Sequence, residues 1–395
     1  MSSIDIKQNN AKKKKIGLII SNKTNYYSAS SYIRLLSPFN ELKNQYSVEI
    51  IDDERIVQFK EDLNKENIVF DIIIIQRDIL LNPNINDFKF IKKLYFECEK
   101  QHIPIIFDID DDLLNIESTH VDYNKYNEIQ DILKFILINS DIITVTNNIL
   151  KKQISKLDKN ITIKIIPNTL VKLWGFPKKQ QLQKNLTLKN TVKIGYFGGI
   201  SHKDDLKIIE KPMKNVINHF TNKNIIFEVI GITNDNYKWI TKINIPNNYN
   251  SNPTLPNKIK NNVSKILRKV NLYDRGLPFC SFVNWIKNEM DWDIAVAPLE
   301  DTNINRSKSN LKYLEYTALN IPGVYSNIGP YKEIGEKNTG IVVNNTPEEW
   351  EKALINLIED NELYETILKN AHEDVRNNYL VKNSVEKWEK ILKEI

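Results

Sequence analysis

Between residues 291 and 326 the chain reads DWDIAVAPLEDTNINRSKSNLKYLEYTALNIPGVYS. A buried strand is expected to run into a polar loop carrying Arg306, one of only 7 arginines. A helix should follow from near Ser307 or Ser309, with Ser309 and Lys312 in its first turn. Lys308, Lys312 and Glu315 then recur at about one-turn spacing on neighbouring faces. Lysines beside a helix N-terminus oppose the helix dipole, so they make better physical sense if an anion docks there. Glu315, one turn deeper, is placed to accept hydrogen bonds from sugar hydroxyls. The plainer alternative is a solvated helix in a lysine-rich chain.

A second anion signal lies in YFGGISHKDDL (196–206). A strand ends at Gly198 and Gly199, and a helix is expected from about Asp205. Bare backbone N–H groups at a strand–turn–helix junction suit a phosphate oxygen. A tight turn that merely needs glycine would look the same. The segment is neither G-x-G-x-x-G nor a Walker loop.

In the first half, FDIDDDLL (107–114) places Asp108, Asp110, Asp111 and Asp112 in one loop past a strand end. Their mutual repulsion needs compensation. Three readings compete: a solvated acidic turn, a Mg²⁺ site, and a site that binds an acceptor or handles a proton. His120, just beyond, reads as a proton acceptor or an ordinary surface residue. Arg34, in SASSYIRLLSPF (28–39), follows the first strand; it either meets an acceptor or pairs with a carboxylate. Gln76 and Arg77 after the third strand pose the same choice.

The elements that carry these residues alternate. KIGLIIS (15–21), VEIID (48–52), DIIIIQ (71–76), IPIIFDI (103–109), DIITVT (141–146) and ITIKIIP (161–167) read as buried strands. Helical spacing over 86–101 and 125–139 lies between them. From Gly175 to Asn190 the chain is polar and aperiodic, a linker. The pattern restarts with TVKIGYFG (191–198), NIIFEVIGI (224–232), DIAVAPL (293–299), GVYS (323–326) and GIVVN (340–344), with helices over 205–220, 308–319, 347–359 and 361–378. The Asn-, Pro- and Lys-rich stretch 244–276 reads as an insertion. Strands apolar on both faces, alternating with helices, predict parallel sheets covered on both sides. The expected division is an N-terminal domain over 1–172, a linker over 173–190, a C-terminal domain over 191–380 and a last helix over 381–395. That helix carries Val385, Trp388, Ile391, Leu392 and Ile395 in one stripe and must pack on something.

Composition bounds the rest. The 395 residues are 41% hydrophobic and 27% charged, which is globular. Ile, Asn and Lys number 60, 52 and 48, a bias we read as A/T-rich codon drift. A lysine here is therefore a weak signal, whereas an arginine or one of the 11 glycines is a stronger one. The net charge of +5 is spread along the chain, unlike the clustered basic face of a nucleic-acid binder. Cys98 and Cys280 are too few for a disulfide framework or a cysteine-rich zinc site. No apolar run approaches the roughly 18 residues of a membrane span, and Lys12 to Lys15 precede too short an apolar stretch for a signal peptide.

The stretch 291–345 resembles the GT-B glycosyltransferases, specifically the retaining, nucleotide-sugar-dependent group-1 type of bacterial surface-glycan assembly. LEYTALNIPGV (314–324) matches that family's glutamate helix and turn, with Asn320 where glycine is usual. A subgroup carries K-S-x-x-K-x-x-E-Y, which Lys308, Ser309, Lys312, Glu315 and Tyr316 fit. The glycine turn followed by His202 and Asp205 is similar to the same subgroup. The family's first glutamate would fall at Ser307. The resemblance implies two doubly wound Rossmann-like α/β domains facing a cleft, with the last helix crossing back onto the N-terminal domain. It implies a nucleotide-diphosphate-sugar donor held by Gly198, Gly199, His202, Lys308, Ser309, Lys312 and Glu315, with Glu315 on the ribose. Lys308 would neutralise the diphosphate, and Arg34, Asp110 and Asp111 would face the acceptor, the two aspartates sharing in catalysis. Thr146 and Asn168 match positions that look structural or interdomain. The expected reaction moves a sugar, with retention, to a hydroxyl of a glycan, lipid-linked or protein-linked acceptor. No cofactor, essential metal or nucleic acid is expected. The expected location is cytoplasmic, extending at most to peripheral contact with the inner face of the membrane. An epimerase of the same architecture and a non-catalytic sugar-nucleotide or glycan-binding subunit are the rival readings.

Overall fold

The structure, a computed structural model, describes residues 13–22, 26–82, 85, 87–176, 185–199, 202, 204–231, 241–242 and 278–395. The insertion expected over 244–276 lies outside them, as do residues 177–184 of the expected linker.

All eleven expected strands form, within two residues at each end. The first sheet holds β1 (Lys15–Ile19), β2 (Ser47–Ile51), β3 (Ile72–Gln76), β4 (Ile105–Asp108), β5 (Ile142–Val145) and β6 (Ile163–Ile165). The second holds β7 (Thr191–Phe197), β8 (Asn224–Ile230), β9 (Thr241–Lys242), β10 (Ile294–Ala297), β11 (Gly323–Ser326) and β12 (Ile341–Val343). The two-residue β9 at the sheet edge is too short to carry a sequence signal. Strand order is β2-β1-β3-β4-β5-β6 in one sheet and β12-β11-β10-β7-β8-β9 in the other. Every pairing is parallel. The isoleucine run of β3 is buried throughout, because helices cover both faces of the sheet.

This order fixes where a ligand can enter. In the first sheet the chain pairs β1 with β2 and then crosses to the other side of β1; in the second it pairs β7, β8 and β9 in turn and then crosses to the other side of β7. The crossing leaves a crevice outside the carboxyl ends of β1 and β3 in one sheet, and of β7 and β10 in the other. After those four strands come the segment with Arg34, that with Gln76 and Arg77, the glycine turn and the lysine-bearing stretch; the acidic loop follows β4, the neighbour of β3.

Three helices differ from expectation. The one expected over 125–139 is two, Tyr123–Glu128 and Gln130–Asn139. The one expected from near Ser307 starts later: Asn303–Ser307 is a separate short helix, and the second runs Leu311–Ala318. The helix after β1 is capped by Ser28, whose Oγ accepts the Ser31 N–H at 3.0 Å, and contains a π turn over Tyr32–Leu36. Within that turn Arg34 is 2% exposed.

The last helix, Val381–Glu394, packs on the N-terminal domain. Trp388 is fully buried, meets the Phe39 ring at 5.1 Å and donates its Nε1–H to the Arg34 carbonyl at 3.1 Å. Lys164 pairs with Glu394 at 2.6 Å. The C-terminal chain thus buries its apolar stripe on the first sheet's layer. Among the described residues no helix is long and apolar enough to cross a membrane.

Candidate functional site

At the second sheet's crevice, β7 ends in the turn at Gly198, whose N–H donates to the Ile230 carbonyl at 3.1 Å. The turn presses on Gly231, at φ 85°, where a Cβ would stand 2.4 Å from the Gly198 oxygen. Only glycine fits both demands. Gly199 is exposed at the turn, and its carbonyl accepts the His202 N–H at 3.0 Å.

His202 is the centre of a chain of contacts. Its Nδ1 is 2.7 Å from Asp205 Oδ2, and its Nε2 is 3.0 Å from Lys308 Nζ. Asp205 is buried and fixed from behind by the Glu300 N–H, 2.7 Å from Oδ1. An ammonium can only donate, so Nε2 holds the lone pair and Nδ1 the proton. Burial holds the His202 pKa below its ordinary value; the Lys308 and Lys312 charges add to this against the pull of Asp205. The imidazole is therefore neutral at pH 7. Burial also lowers Lys308, with Asp111 and Asp205 pulling it back up.

Lys308 stands between the two short helices, at the C-cap of Asn303–Ser307. Lys312, in the first turn of Leu311–Ala318, pairs with Glu315 at 2.8 Å and lies 3.8 Å over the Phe197 ring. Glu315 is 3% exposed; burial raises its pKa and Lys312 opposes the rise. Tyr316 belongs to the core: its hydroxyl donates to the Val296 carbonyl at 2.9 Å and ties this helix to β10. Gly198, His202, Lys308, Lys312 and Glu315 thus meet at one crevice.

The acidic loop divides into four different environments. Asp108 forms a buried ion pair with Arg34 at 2.6 Å and accepts the Thr144 hydroxyl at 2.6 Å. Asp112 caps its own turn, accepting from the Leu114 and Asn115 N–H groups at 3.2 and 3.3 Å. Asp110 pairs with Arg77 Nε and accepts the Ser30 hydroxyl at 2.6 Å. Burial would raise the Asp110 carboxyl, but the guanidiniums of Arg77 and Arg34 and these hydrogen bonds hold it below the usual range. Asp111 meets Arg77 at 3.0 Å and keeps 29% of its side chain exposed. Among the described residues no three His, Cys, Asp or Glu side chains gather as a metal ion would require.

One expected residue is misplaced. Arg34, assigned to the acceptor, donates to Asp108, to the Ile166 carbonyl at 2.8 Å and to Asn168 Oδ1 at 2.9 Å, all inside the domain. The π turn rotates it inward, so it is a core ion pair and not a cleft residue. Gln76 is also buried, donating to Ser30 Oγ at 2.9 Å. His120 is half-buried; its Nδ1 accepts the Asp122 N–H at 3.1 Å and its ring lies 6.4 Å from that of Tyr126. Sequence reasoning missed Asp78, which accepts the hydroxyls of Ser28 and Ser31 and lies 3.6 Å from Arg77. Burial raises the Asp78 pKa. Asn147 was missed as well: its Nδ2 donates to the Ser307 and Lys308 carbonyls at 2.7 and 3.0 Å. The available signal was place alone, since each follows a strand of the crevice-bearing sheet.

Compared by sequence, the chain matches no protein-family model and no curated protein. Compared by structure, it is similar to sucrose-phosphate synthase from Thermosynechococcus elongatus, with a TM-score of 0.59 at 12% identity over 97% of this chain and 99% of that one. It is similar to HepE from Anabaena in complex with UDP, at 0.56 and 11% over 97% and 100%. It is similar also to a glycosyltransferase from Rickettsia africae, at 0.55 and 14% over 97% and 99%. The shared fold is GT-B, two Rossmann-like α/β domains.

Proposed function

We propose that this GT-B chain is a glycosyltransferase that moves a sugar from a nucleotide-diphosphate-sugar to a hydroxyl of a glycan or glycoconjugate. One observation carries the reading: the Asp205–His202–Lys308 chain ends beside Lys312 and Glu315 at the crevice of the second sheet. Two lysines and a helix start offer positive charge to a diphosphate, and a buried carboxylate offers acceptors to ribose hydroxyls. Structural neighbours bound to UDP and to UDP-glucose support the donor class.

In this mechanism the bond from the anomeric carbon to the β-phosphate oxygen breaks first. The sugar gains oxocarbenium character, and Lys308 stabilises the leaving diphosphate as its charge grows. The acceptor oxygen bonds to the anomeric carbon on the face the nucleotide leaves, which retains configuration. Its proton passes to a departing phosphate oxygen. Asp110 and Asp111, ordered by Arg77, orient the accepting hydroxyl from the N-terminal domain. The lysines meet the diphosphate charge, so no metal is needed in this reading. The site of action is cytoplasmic, with lipid- or protein-linked glycans among the acceptors.

One observation favours a second reading. Ser307, at the place of the family's first glutamate, is fully buried and donates its hydroxyl to the Ile304 carbonyl at 2.9 Å. It offers the donor sugar no contact, as a sugar-nucleotide-binding subunit would allow. Incubation with a panel of nucleotide sugars separates the two: nucleoside diphosphate release that rises with a glycan acceptor supports transfer, and binding without release supports the subunit.

A further inference from the structure

The loop Ser307–Ser309 belongs to the C-terminal domain, yet its partners come from the N-terminal one. At the end of β5, Asn147 caps the helix Asn148–Ile154: its Oδ1 accepts the Ile149 and Leu150 N–H groups, both at 3.0 Å. The amide has only one way round, so its Nδ2 must face outward. There it donates to the Ser307 and Lys308 carbonyls. Those carbonyls close the short helix Asn303–Ser307 and lack donors within it. Asn168, after β6, is fixed in the same manner. Its Oδ1 takes the Arg34 guanidinium at 2.9 Å, so its Nδ2 points across to Ser309 Oγ, 2.9 Å away. Arg34 is itself locked by Asp108. Two amides, each oriented by its own domain, thus present donors to three consecutive residues of the other.

From this geometry we infer that Asn147 and Asn168 are positioning residues for the donor site. They hold the Lys308 backbone from the opposite domain and so aim its ammonium. The holding of the loop stands on the hydrogen bonds alone; the diphosphate as target rests on the glycosyltransferase reading. Neither amide need touch the nucleotide. Arg34 then has a role after all, one step removed: it sets the orientation of Asn168. The buried Arg34–Asp108 pair is the anchor of an interdomain contact.

Asn147→Asp and Asn168→Asp separate this role from a purely local one. Each keeps the oxygen that its own domain uses: at 147 aspartate is as good a helix cap as asparagine, and at 168 its oxygen still accepts from Arg34. Each removes the N–H donors aimed at the loop and sets a carboxylate against oxygen atoms. Backbone hydrogen exchange is measured on the full chain without ligand, together with calorimetric binding of UDP, GDP and ADP. The expected result is exchange at least about tenfold faster over 303–312, with β4 and β5 unchanged. The diphosphate that binds the parent chain should bind each variant at least about fivefold more weakly. Loop exchange within twofold of the parent in both variants would overturn the inference, whatever the nucleotide data show. If exchange rises but no diphosphate binds even the parent chain, the positioning stands and the donor reading fails. Should Asn147→Asp not fold, Asn147→Ser serves instead, since serine caps the helix but is too short to reach Ser307.

Discussion

Lys308 Nζ lies 3.0 Å from His202 Nε2, and the imidazole is backed by Asp205. Two side chains from a segment about a hundred residues away therefore aim one ammonium. Lys308→Ala should weaken nucleoside diphosphate binding by tenfold or more, because a charge-assisted contact to phosphate is worth about 1.5–3 kcal/mol. Turnover should fall in step. Unchanged calorimetric affinity removes Lys308 from the site.

Glu315 is buried and touches Lys312. Glu315→Gln keeps the shape and weakens the acceptor, so nucleotide affinity should drop by several-fold, the loss of about 1 kcal/mol of hydrogen bonding. A 2′,3′-dideoxy nucleotide should bind the parent chain correspondingly less well. Equal affinity for the two nucleotides takes the ribose away from Glu315.

Asp110 and Asp111 share Arg77, and the two remaining aspartates of the loop face elsewhere. Asp110→Asn and Asp111→Asn should lower transfer while donor binding persists, and EDTA should have little effect. Activity abolished by EDTA and restored by Mg²⁺ or Mn²⁺ points to a metal centre and overturns this assignment. A rate within about twofold, or roughly 0.4 kcal/mol, marks a mere surface turn.

Arg34 and Asp108 form an ion pair with side chains 1% and 0% exposed. Removing one partner strands the other charge in the core. Asp108→Asn should cost about 3–5 kcal/mol in denaturant unfolding. A loss below about 1 kcal/mol means the pair is solvated in solution.

His372 is 5% exposed, and among the described residues its Nε2 has no hydrogen-bond partner. Burial, aided by Arg376, lowers its pKa from 6.5 to about 4. Between those values the unfolded chain binds a proton that the folded chain refuses. Stability should therefore fall as pH drops below 6.5, by at most about 1.4 kcal/mol per pH unit from this group. His372→Leu should flatten the curve over that window. Parallel parent and variant curves from pH 7 to 4 contradict the assignment.

The sequence by itself determined the elements. Four consecutive isoleucines in β3 can only be buried on both faces, and the Trp388 stripe demands a partner surface, so strands, helices and the two-domain division are legible locally. It also marked Gly198, Lys312 and Glu315, because one-turn spacing and a strand-end glycine are properties of a short segment; Lys308 was marked by the same spacing, but it stands outside the helix, between Asn303–Ser307 and Leu311–Ala318. Side-chain pairing was decided by the tertiary structure. Arg34 reads as either an acceptor contact or the partner of a carboxylate, and only the fold selects Asp108, 74 positions away. The four aspartates look alike in sequence and differ only because Arg34, Arg77, Ser30 and their own turn reach them from separate directions. Asp78 and Asn147 carry no local signal. Their surroundings are set by parallel strand order and by contact between domains, and an isolated segment carries neither.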